Sequence, residues 1–463
     1  MAAPAPVVAR DEEPDLDRAL GATDATLLTI GAVVGTGIFL TTADVARALP
    51  HPGLVLLVWG VAGVLTLAGA VTYAELGVRY PRAGGIYHFL KEAYGPIFGF
   101  LYGWTAFLVI NSGGIAAIAV GFGEYLGTFL PFFSGAHVLA SASSALGTWT
   151  FTGAQAAAMA AIVVLTAVNH AGLREGARTQ AVLTVARVGL LGVLVTLGLL
   201  VPAVSTAPLL SPLPASASAA GFGLGLIAAF WTFDGWYGAT LSAGELRRPE
   251  RTLPLGLTAG TVAVAVLYVL VNLVYVRALP VETIARTPRI GEVAAFALFG
   301  PLAGRLVALA VVVSSFGCLA STILYTSRLY LPMARDGLFF RSVARIDPRR
   351  HTPTASLWAQ SGWALLLTAS GTYSQLYTYA TFAAVLFHVA TASALFVIRR
   401  RAPRAAAYAA WGYPWTTLVF VAASVALVLN TLHERPVESL LGLGLVALGL
   451  PAYAYWSRRR TRG

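Results

Sequence analysis

Two short stretches of the sequence contain the residue types that could bind a small charged ligand. Gly35, Thr36 and Gly37 lie within one apolar segment, and Asp234 and Gly235 lie within another. Glycine weakens a helix by about 1 kcal/mol relative to alanine. An acid at the centre of a membrane costs about 2.5–3.5 kcal/mol on insertion scales and is usually functional. Both stretches therefore predict helices that are interrupted at mid-membrane depth.

Interrupted helices leave backbone amides and carbonyls without helical partners, and in a membrane these groups must face a ligand, an ion or other protein. A half-helix that starts near Gly37 offers free amides and a partial positive charge to an anion. The carbonyls that end the neighbouring half-helices can hold a cation. An anion site beside a cation site suits a zwitterion such as an α-amino acid. Close helix packing through small residues is the alternative explanation of the glycines in 31–37.

The composition places both stretches in a membrane-spanning bundle. The chain has 463 residues, of which 57% are hydrophobic and 11% charged, and its mean hydropathy is +0.74. These values exclude a soluble enzyme, a disulfide-stapled secreted domain and a disordered protein. We predict an all-α polytopic membrane protein with twelve spanning helices near 24–47, 53–78, 95–127, 151–170, 177–202, 219–241, 254–277, 303–333, 355–371, 374–398, 412–432 and 437–456. The amphipathic segment 281–300 is expected to form an outer helix that lies on the surface.

Helices 1 and 6 of this series contain the interruptions, near 34–37 and near 233–235. That spacing predicts two inverted five-helix repeats of the LeuT type, followed by two further helices. The expected divisions are an N-terminal tail at 1–23, a first repeat at 24–202, a second repeat at 203–398, helices 11 and 12 at 399–456, and a C-terminal tail at 457–463. Most of the 31 lysines and arginines fall in loops on one side of this arrangement, which predicts that both termini are cytoplasmic.

Charge and cysteine content narrow the function further. The net charge of +11 is explained by membrane orientation, so it is not evidence for a nucleic acid partner. The single cysteine, Cys318, excludes an intrachain disulfide and a cysteine metal cluster. No pattern is typical of a metal site, of a nucleophile with its base or of a phosphate-binding loop, so neither a cofactor nor an enzyme is expected. A channel is not expected because no ring of charged residues repeats.

Several motifs occur in order at the predicted helices. They are Gly-Thr-Gly-Ile-Phe at 35–39, Tyr-Ala-Glu-Leu-Gly at 73–77, Ala-Gly-Gly-Ile-Tyr at 83–87, Phe-Asp-Gly-Trp at 233–236, Arg-Pro-Glu-Arg-Thr-Leu-Pro at 248–254, Ala-Arg-Asp-Gly at 334–337 and Trp-Gly-Tyr-Pro at 411–414. With these motifs the chain resembles the amino acid–polyamine–organocation superfamily, in particular the bacterial relatives of the L-type amino acid transporters. The resemblance covers essentially residues 20–456.

The resemblance implies a binding site between helices 1 and 6. The amides of Thr36 and Gly37 would hold a substrate carboxylate, and the carbonyls of Val33, Trp231 and Asp234 would hold its ammonium. Trp231 matches an aromatic gate that closes over substrate. The remaining residues expected in the site are Gly35, Phe233, Gly235 and Thr322. For Phe233, packing is the favoured alternative.

Asp234, His388 and Arg187 are the charged or titratable groups whose roles stay open. Asp234 could contact the ammonium, carry a proton or cap the broken helix ends, and His388 could titrate or simply pack. Arg187 falls where the L-type branch places a lysine that bridges helices 1 and 8, in the volume that sodium occupies in sodium-coupled relatives of the fold. Because arginine stays protonated in proteins, this departure favours a permanent electrostatic tie over a proton carrier. Snorkelling of Arg187 toward the cytoplasm is the alternative.

The predicted function is secondary transport of amino acids by alternating access. Sodium-independent exchange or uptake of small to medium neutral L-amino acids is expected, with a proton-coupled amino acid or amine importer as the alternative. The expected location is the cell membrane. The outer loops contain no cysteine, so no disulfide-linked accessory chain is expected, and the protein would be a monomer or a loose dimer.

Overall fold

The computed structural model describes residues 20–460 apart from short gaps. The gaps are 82–83, 145–146, 172–175, 206–207, 215–216, 346, 348–352 and 403–406, and for 144, 147, 176–183 and 460 only the backbone is described. Most of the predicted N-terminal tail, 1–19, and the end of the C-terminal tail, 461–463, lie outside the described residues.

The first half of the chain forms eight α-helices and one small β-hairpin. The helices are α1 Ala22–Val33, α2 Thr42–Ala48, α3 Pro52–Arg79, α4 Ile86–Tyr94, α5 Pro96–Thr105, α6 Asn111–Leu126, α7 Gly153–His170 and α8 Gly176–Leu200. A π-helical turn, Ala106–Ile110, joins α5 to α6, so the two form one long span. The strands β1 Val138–Ser144 and β2 Gly147–Thr152 pair antiparallel, largely between the predicted helices at 95–127 and 151–170.

The second half is also helical. Its helices are α9 Ala219–Phe233, α10 Pro249–Ala278, α11 Val281–Arg286, α12 Ile290–Phe299, α13 Pro301–Thr326, α14 Tyr330–Arg335, α15 Thr354–Ser370, α16 Tyr373–Arg401, α17 Trp415–Glu434, α18 Pro436–Ala447 and α19 Gly449–Arg460. The class of all-α polytopic membrane protein is confirmed.

Within the described residues, eight stretches are long and apolar enough to cross a membrane. They are Pro52–Arg79, Pro96–Leu126, Gly153–His170, Pro249–Ala278, Pro301–Arg335, Tyr373–Arg401, Trp415–Glu434 and Pro436–Arg459. Predicted helices 1, 5 and 6 correspond to shorter apolar helices, Ala22–Val33, Thr184–Leu200 and Ala219–Phe233. Predicted helix 9 corresponds to α15, which has 17 residues.

The structure differs from the predicted helix at 219–241 after its predicted interruption near 233–235, because no α-helix resumes there. The helix ends at Phe233, and residues 234–245 form turns with two short 3-10 segments, Gly238–Thr240 and Ala243–Glu245. Gly235 has φ +96°, a conformation that side-chain-bearing L-residues rarely adopt, so the α-helix cannot continue through it.

The segment 281–300 also differs from its prediction as a surface helix. It forms α11 and α12, which are separated around Pro288 because a proline disfavours helical geometry in the residue before it. Ile284 and Ile290 are fully buried, and Gly291 packs against Phe39. The segment therefore packs against the part of predicted helix 1 that follows its break.

Candidate functional site

The interruption of helix 1 leaves donors without backbone partners. The α-helix stops at Val33 because Val34 turns extended, with ψ 92°, and coiling resumes with the 3-10 turn Gly37–Phe39. Among the described residues, the amides of Thr36 and Gly37 donate to no backbone carbonyl. The Thr36 side chain is 2% exposed, and its hydroxyl has no hydrogen-bond partner there either. Unpaired buried donors are costly, so this turn is suited to an anionic ligand.

The carbonyls at the end of α1 already accept protein donors. The Tyr268 hydroxyl donates to the Val33 carbonyl at 3.0 Å and lies 3.3 Å from the Thr232 carbonyl. The Trp231 carbonyl accepts the Asp234 amide at 3.1 Å. Since a carbonyl oxygen has two lone pairs, the Val33 and Trp231 oxygens keep capacity for a ligand ammonium.

The two interruptions lie directly against each other. A Cβ atom on Gly235 would stand 2.6 Å from the Ala32 carbonyl oxygen, and one on Gly37 would stand 2.7 Å from the Thr232 Oγ1. Only glycine allows this approach of backbone to backbone. The structure therefore brings together the residues of both breaks that the sequence singled out.

Helix α13 forms a third side of the site. The position that a Cβ on Gly35 would take is 3.7 Å from the Cys318 Sγ. Thr322 lies one helical turn beyond Cys318, and the Thr322 hydroxyl donates to the Cys318 carbonyl at 2.8 Å. Thr322 is 8% exposed. Thr322 therefore uses its proton within its own helix and contributes an oxygen acceptor and a methyl group to this side.

The aromatic side chain of Trp231, three residues before Asp234, is held by two tyrosines of α16. Its indole N–H donates to the Tyr373 hydroxyl at 3.0 Å, and its ring stacks on Tyr377 with centroids 6.0 Å apart and planes at 18°. The Tyr377 hydroxyl in turn donates to Asp44 of α2 at 2.8 Å. Helices 1, 6 and 10 are thus joined on the side toward α11 and α12.

Phe233 does not join this cover. Its ring is 1% exposed and packs against Tyr268 and Trp59, with centroids 5.1 Å and 6.2 Å away. This position supports the packing alternative for Phe233.

Asp234 faces a histidine from helix 10. The carboxylate Oδ1 lies 3.8 Å from the His388 Nε2, and the His388 Nδ1 lies 2.8 Å from the Tyr73 hydroxyl. The His388 side chain is 5% exposed, whereas that of Asp234 is 29% exposed. Within the described residues, no group of three or more His, Cys, Asp or Glu could hold a metal ion.

Arg187 ties α8 to the end of helix 1. Its guanidinium donates to the Val34 carbonyl at 2.8 Å, and the residue is 2% exposed. The side chain therefore points into the bundle and does not snorkel. A fixed positive charge stands one residue from Val33, at the edge of the predicted site.

Contacts on the arginine-rich side close the opposite end of the bundle. Glu75 is fully buried and accepts hydrogen bonds from Arg79, Arg399 and the Ala410 amide, at 2.9, 2.9 and 2.7 Å. Leu20, just before α1, pairs with the loop after helix 6: its amide donates to the Glu245 carbonyl at 3.0 Å. These contacts join α3 to α16, and the start of α1 to the loop after α9, on this side of the bundle.

Sequence reasoning missed the tyrosines of the site. Tyr268, Tyr373 and Tyr377 hold the breaks and the gate, but each lies in an apolar helix where tyrosine is equally typical of packing. One usable signal is the spacing of Tyr373 and Tyr377, which puts both on one face of a helix.

The sequence profile of the amino acid permease family matches residues 20–439. The chain belongs to this family. The permease is 27% identical to the serine/threonine exchanger SteT of Bacillus subtilis (strain 168) over 97% of this chain and 99% of the relative. It is 29% identical to the b(0,+)-type amino acid transporter 1 of Oryctolagus cuniculus, over 83% of this chain and 76% of the relative. It is 28% identical to the large neutral amino acids transporter small subunit 2 of Mus musculus, over 96% of this chain and 82% of the relative.

These relatives confirm that the permease is a membrane transporter of amino acids and not an enzyme. They are an exchanger and amino acid transporters, which does not favour the proton-coupled or amine importer. A bacterial exchanger among them supports a location in the plasma membrane.

Proposed function

We propose that this permease exchanges or takes up small to medium neutral L-amino acids without sodium, by alternating access. The observation that carries the proposal is the pair of amides at Thr36 and Gly37, which donate to no backbone carbonyl among the described residues, with Gly37 packed against Thr232 near the end of α9. The amides would bind the substrate carboxylate. The carbonyls of Val33, Trp231 and Asp234 would bind the ammonium, and Gly35, Gly235 and Thr322 would leave room for the side chain.

The buried charge of Arg187 supports independence from sodium. A guanidinium 2.8 Å from the Val34 carbonyl occupies an acceptor that a cation would otherwise use. Two positive charges in one low-dielectric volume repel strongly, so bound sodium beside Arg187 is disfavoured.

Two sets of contacts, on opposite sides of the helix breaks in the proposal, support alternating access. Opening one side would break the contacts of Trp231 with Tyr373 and Tyr377, and opening the other would release Leu20 from the Glu245 carbonyl. In the proposal, residues 24–202 and 203–398 form the two inverted repeats, and movement of one against the other exchanges these contacts.

The same proposal places both termini in the cytoplasm, since arginine-rich loops lie on that side. Cys318, the single cysteine of the sequence, is 7% exposed within α13, which supports a chain without a disulfide-linked accessory subunit. A monomer or loose dimer is expected.

The test is uptake of labelled serine, leucine, arginine and glutamate into sodium-free liposomes that contain the purified protein. We expect uptake of the neutral amino acids that rises when unlabelled amino acid is present inside. Trp231→Ala should abolish this uptake, while Trp411→Ala, at a position that is 80% exposed, should retain it. Absence of amino acid uptake by folded wild-type protein, or a requirement for sodium, would contradict the proposal.

A further inference from the structure

Asp234 and His388 form a contact that the proposed transport cycle does not use. The Asp234 carboxylate follows the last turn of α9, and its partly exposed side chain lies beside the substrate site. The His388 imidazole comes from α16, with its Nε2 3.8 Å from the carboxylate. The pair joins the broken helix 6 to helix 10.

The imidazole is held from behind by Tyr73 of α3. The Tyr73 hydroxyl lies 2.8 Å from Nδ1, and Tyr73 is fully buried. The rings of Trp236 and Tyr237 pack on the imidazole with centroids 5.4 and 5.2 Å away. Because these rings enclose it, the imidazole keeps Nε2 directed at Asp234.

The hydrogen bond to Tyr73 also sets where the ring proton lies. When the Tyr73 hydroxyl donates to Nδ1, the proton of a neutral imidazole is on Nε2 and faces the carboxylate. This is the neutral form in which the contact with Asp234 is attractive. A donor fixed in this way partly compensates the charge of the Asp234 carboxylate.

We infer that His388 is a specificity-determining residue that sets the preference of the site for the charge of the substrate side chain. With the imidazole in place, the compensated carboxylate permits neutral side chains. Without it, Asp234 becomes an uncompensated anion at the edge of the site and attracts amino acids with a cationic side chain. The inference rests on the proposed function, because it concerns the same site.

The experiment compares labelled serine and labelled arginine in liposome exchange by the full-length protein. In His388→Gln, the ratio of kcat/KM for arginine to that for serine should rise about tenfold, because the imidazole N–H that faces the carboxylate is lost. Asp234→Asn should lower the ratio. The double variant should have the same ratio as Asp234→Asn alone, since His388 acts through the carboxylate. Tyr73→Phe should shift the ratio in the direction of His388→Gln.

His433→Gln is the matched control, because His433 lies at the end of α17 with its side chain 85% exposed. Its ratio should equal that of the wild type. Elution as a single species in size-exclusion chromatography establishes that each variant is folded. If His388→Gln fails this check, His388→Asn and Tyr73→Phe carry the test.

The outcomes separate the inference from the proposed function. No amino acid exchange by the wild type would remove the proposed function itself. Exchange by the wild type with an unchanged arginine-to-serine ratio in the His388 and Tyr73 variants would overturn the inference alone. A double variant that keeps the raised ratio would also overturn it, since His388 would then act independently of Asp234.

Discussion

Replacement of Gly235 by alanine tests whether the two helix breaks must touch. The residue has φ +96°, and a Cβ atom there would lie 2.6 Å from the Ala32 carbonyl oxygen and 2.9 Å from its carbon. The left-handed conformation costs an L-residue about 1–2 kcal/mol. Ordinary contact begins near 3.4 Å, so the break of helix 1 must also retreat from that of helix 6 by about 0.8 Å.

We expect Gly235→Ala to remain folded and to lose about a hundredfold in exchange rate, because a shift near 1 Å in a positioned site costs about that factor. The matched control is Gly300→Ala. Gly300 precedes α13 with φ +85°, but a Cβ atom there would meet nothing within 4 Å. Gly300→Ala also places a side chain at a positive φ but lacks the contact at the site, so its transport should stay close to that of the wild type.

The assay is exchange of labelled serine into sodium-free liposomes, with the thermal unfolding midpoint of both variants measured in detergent. Similar losses of stability in the two variants, with transport lost only in Gly235→Ala, would separate the contact from the strain. Normal transport by Gly235→Ala would refute the reasoning that the breaks must lie against each other. Equal loss of transport in both variants would refute the claim that the site, and not the backbone conformation, is responsible.

Three further predictions concern the donors and acceptors around the breaks. Thr36→Val should raise the KM for amino acids several-fold without lowering thermal stability, because the buried hydroxyl has no partner to lose; an unchanged KM would remove Thr36 from the site. Tyr377→Phe removes the hydrogen bond to Asp44 at 2.8 Å. Cysteines introduced beneath Trp231 should then react faster with an impermeant thiol reagent. Equal labelling with and without the substitution would contradict a role of Tyr377 in closing the site. Arg187→Ala should abolish uptake by removing the donor to the Val34 carbonyl, whereas Arg187→Lys should preserve uptake. Uptake by the alanine variant at the wild-type rate would show that the hydrogen bond between α8 and helix 1 is dispensable.

The break of helix 1 could be predicted from sequence because its cause is local. Three glycines in 31–37 weaken the helix there, and the structure ends the helix at Val33. The interruption of helix 6 near 233–235 was predicted on similar grounds, but the absence of α-helix from 236 to 241 was not. Residues 236–241 are mostly apolar and look helical, whereas Gly235, with φ +96°, packs against Ala32, just over two hundred positions earlier in the chain.

The tyrosine contacts escaped prediction for a related reason. Tyr268 and Tyr373 each act through a hydroxyl that meets a group on another helix, and sequence does not give the rotation of one helix against its neighbour. The hairpin of β1 and β2 was missed because its serine- and alanine-rich first strand lacks the alternation of apolar and polar residues that marks a strand.

Tyr268 has one hydroxyl proton within reach of two carbonyls, that of Val33 on helix 1 and that of Thr232 on helix 6. When one broken helix moves relative to the other, the proton can pass its hydrogen bond from one oxygen to the other by a small rotation of the hydroxyl. Neither conformation then leaves the tyrosine without an acceptor in a medium that offers no water to replace it. Conformations of the bundle can thus differ in geometry while keeping the same number of hydrogen bonds at this hydroxyl, which keeps their energies close.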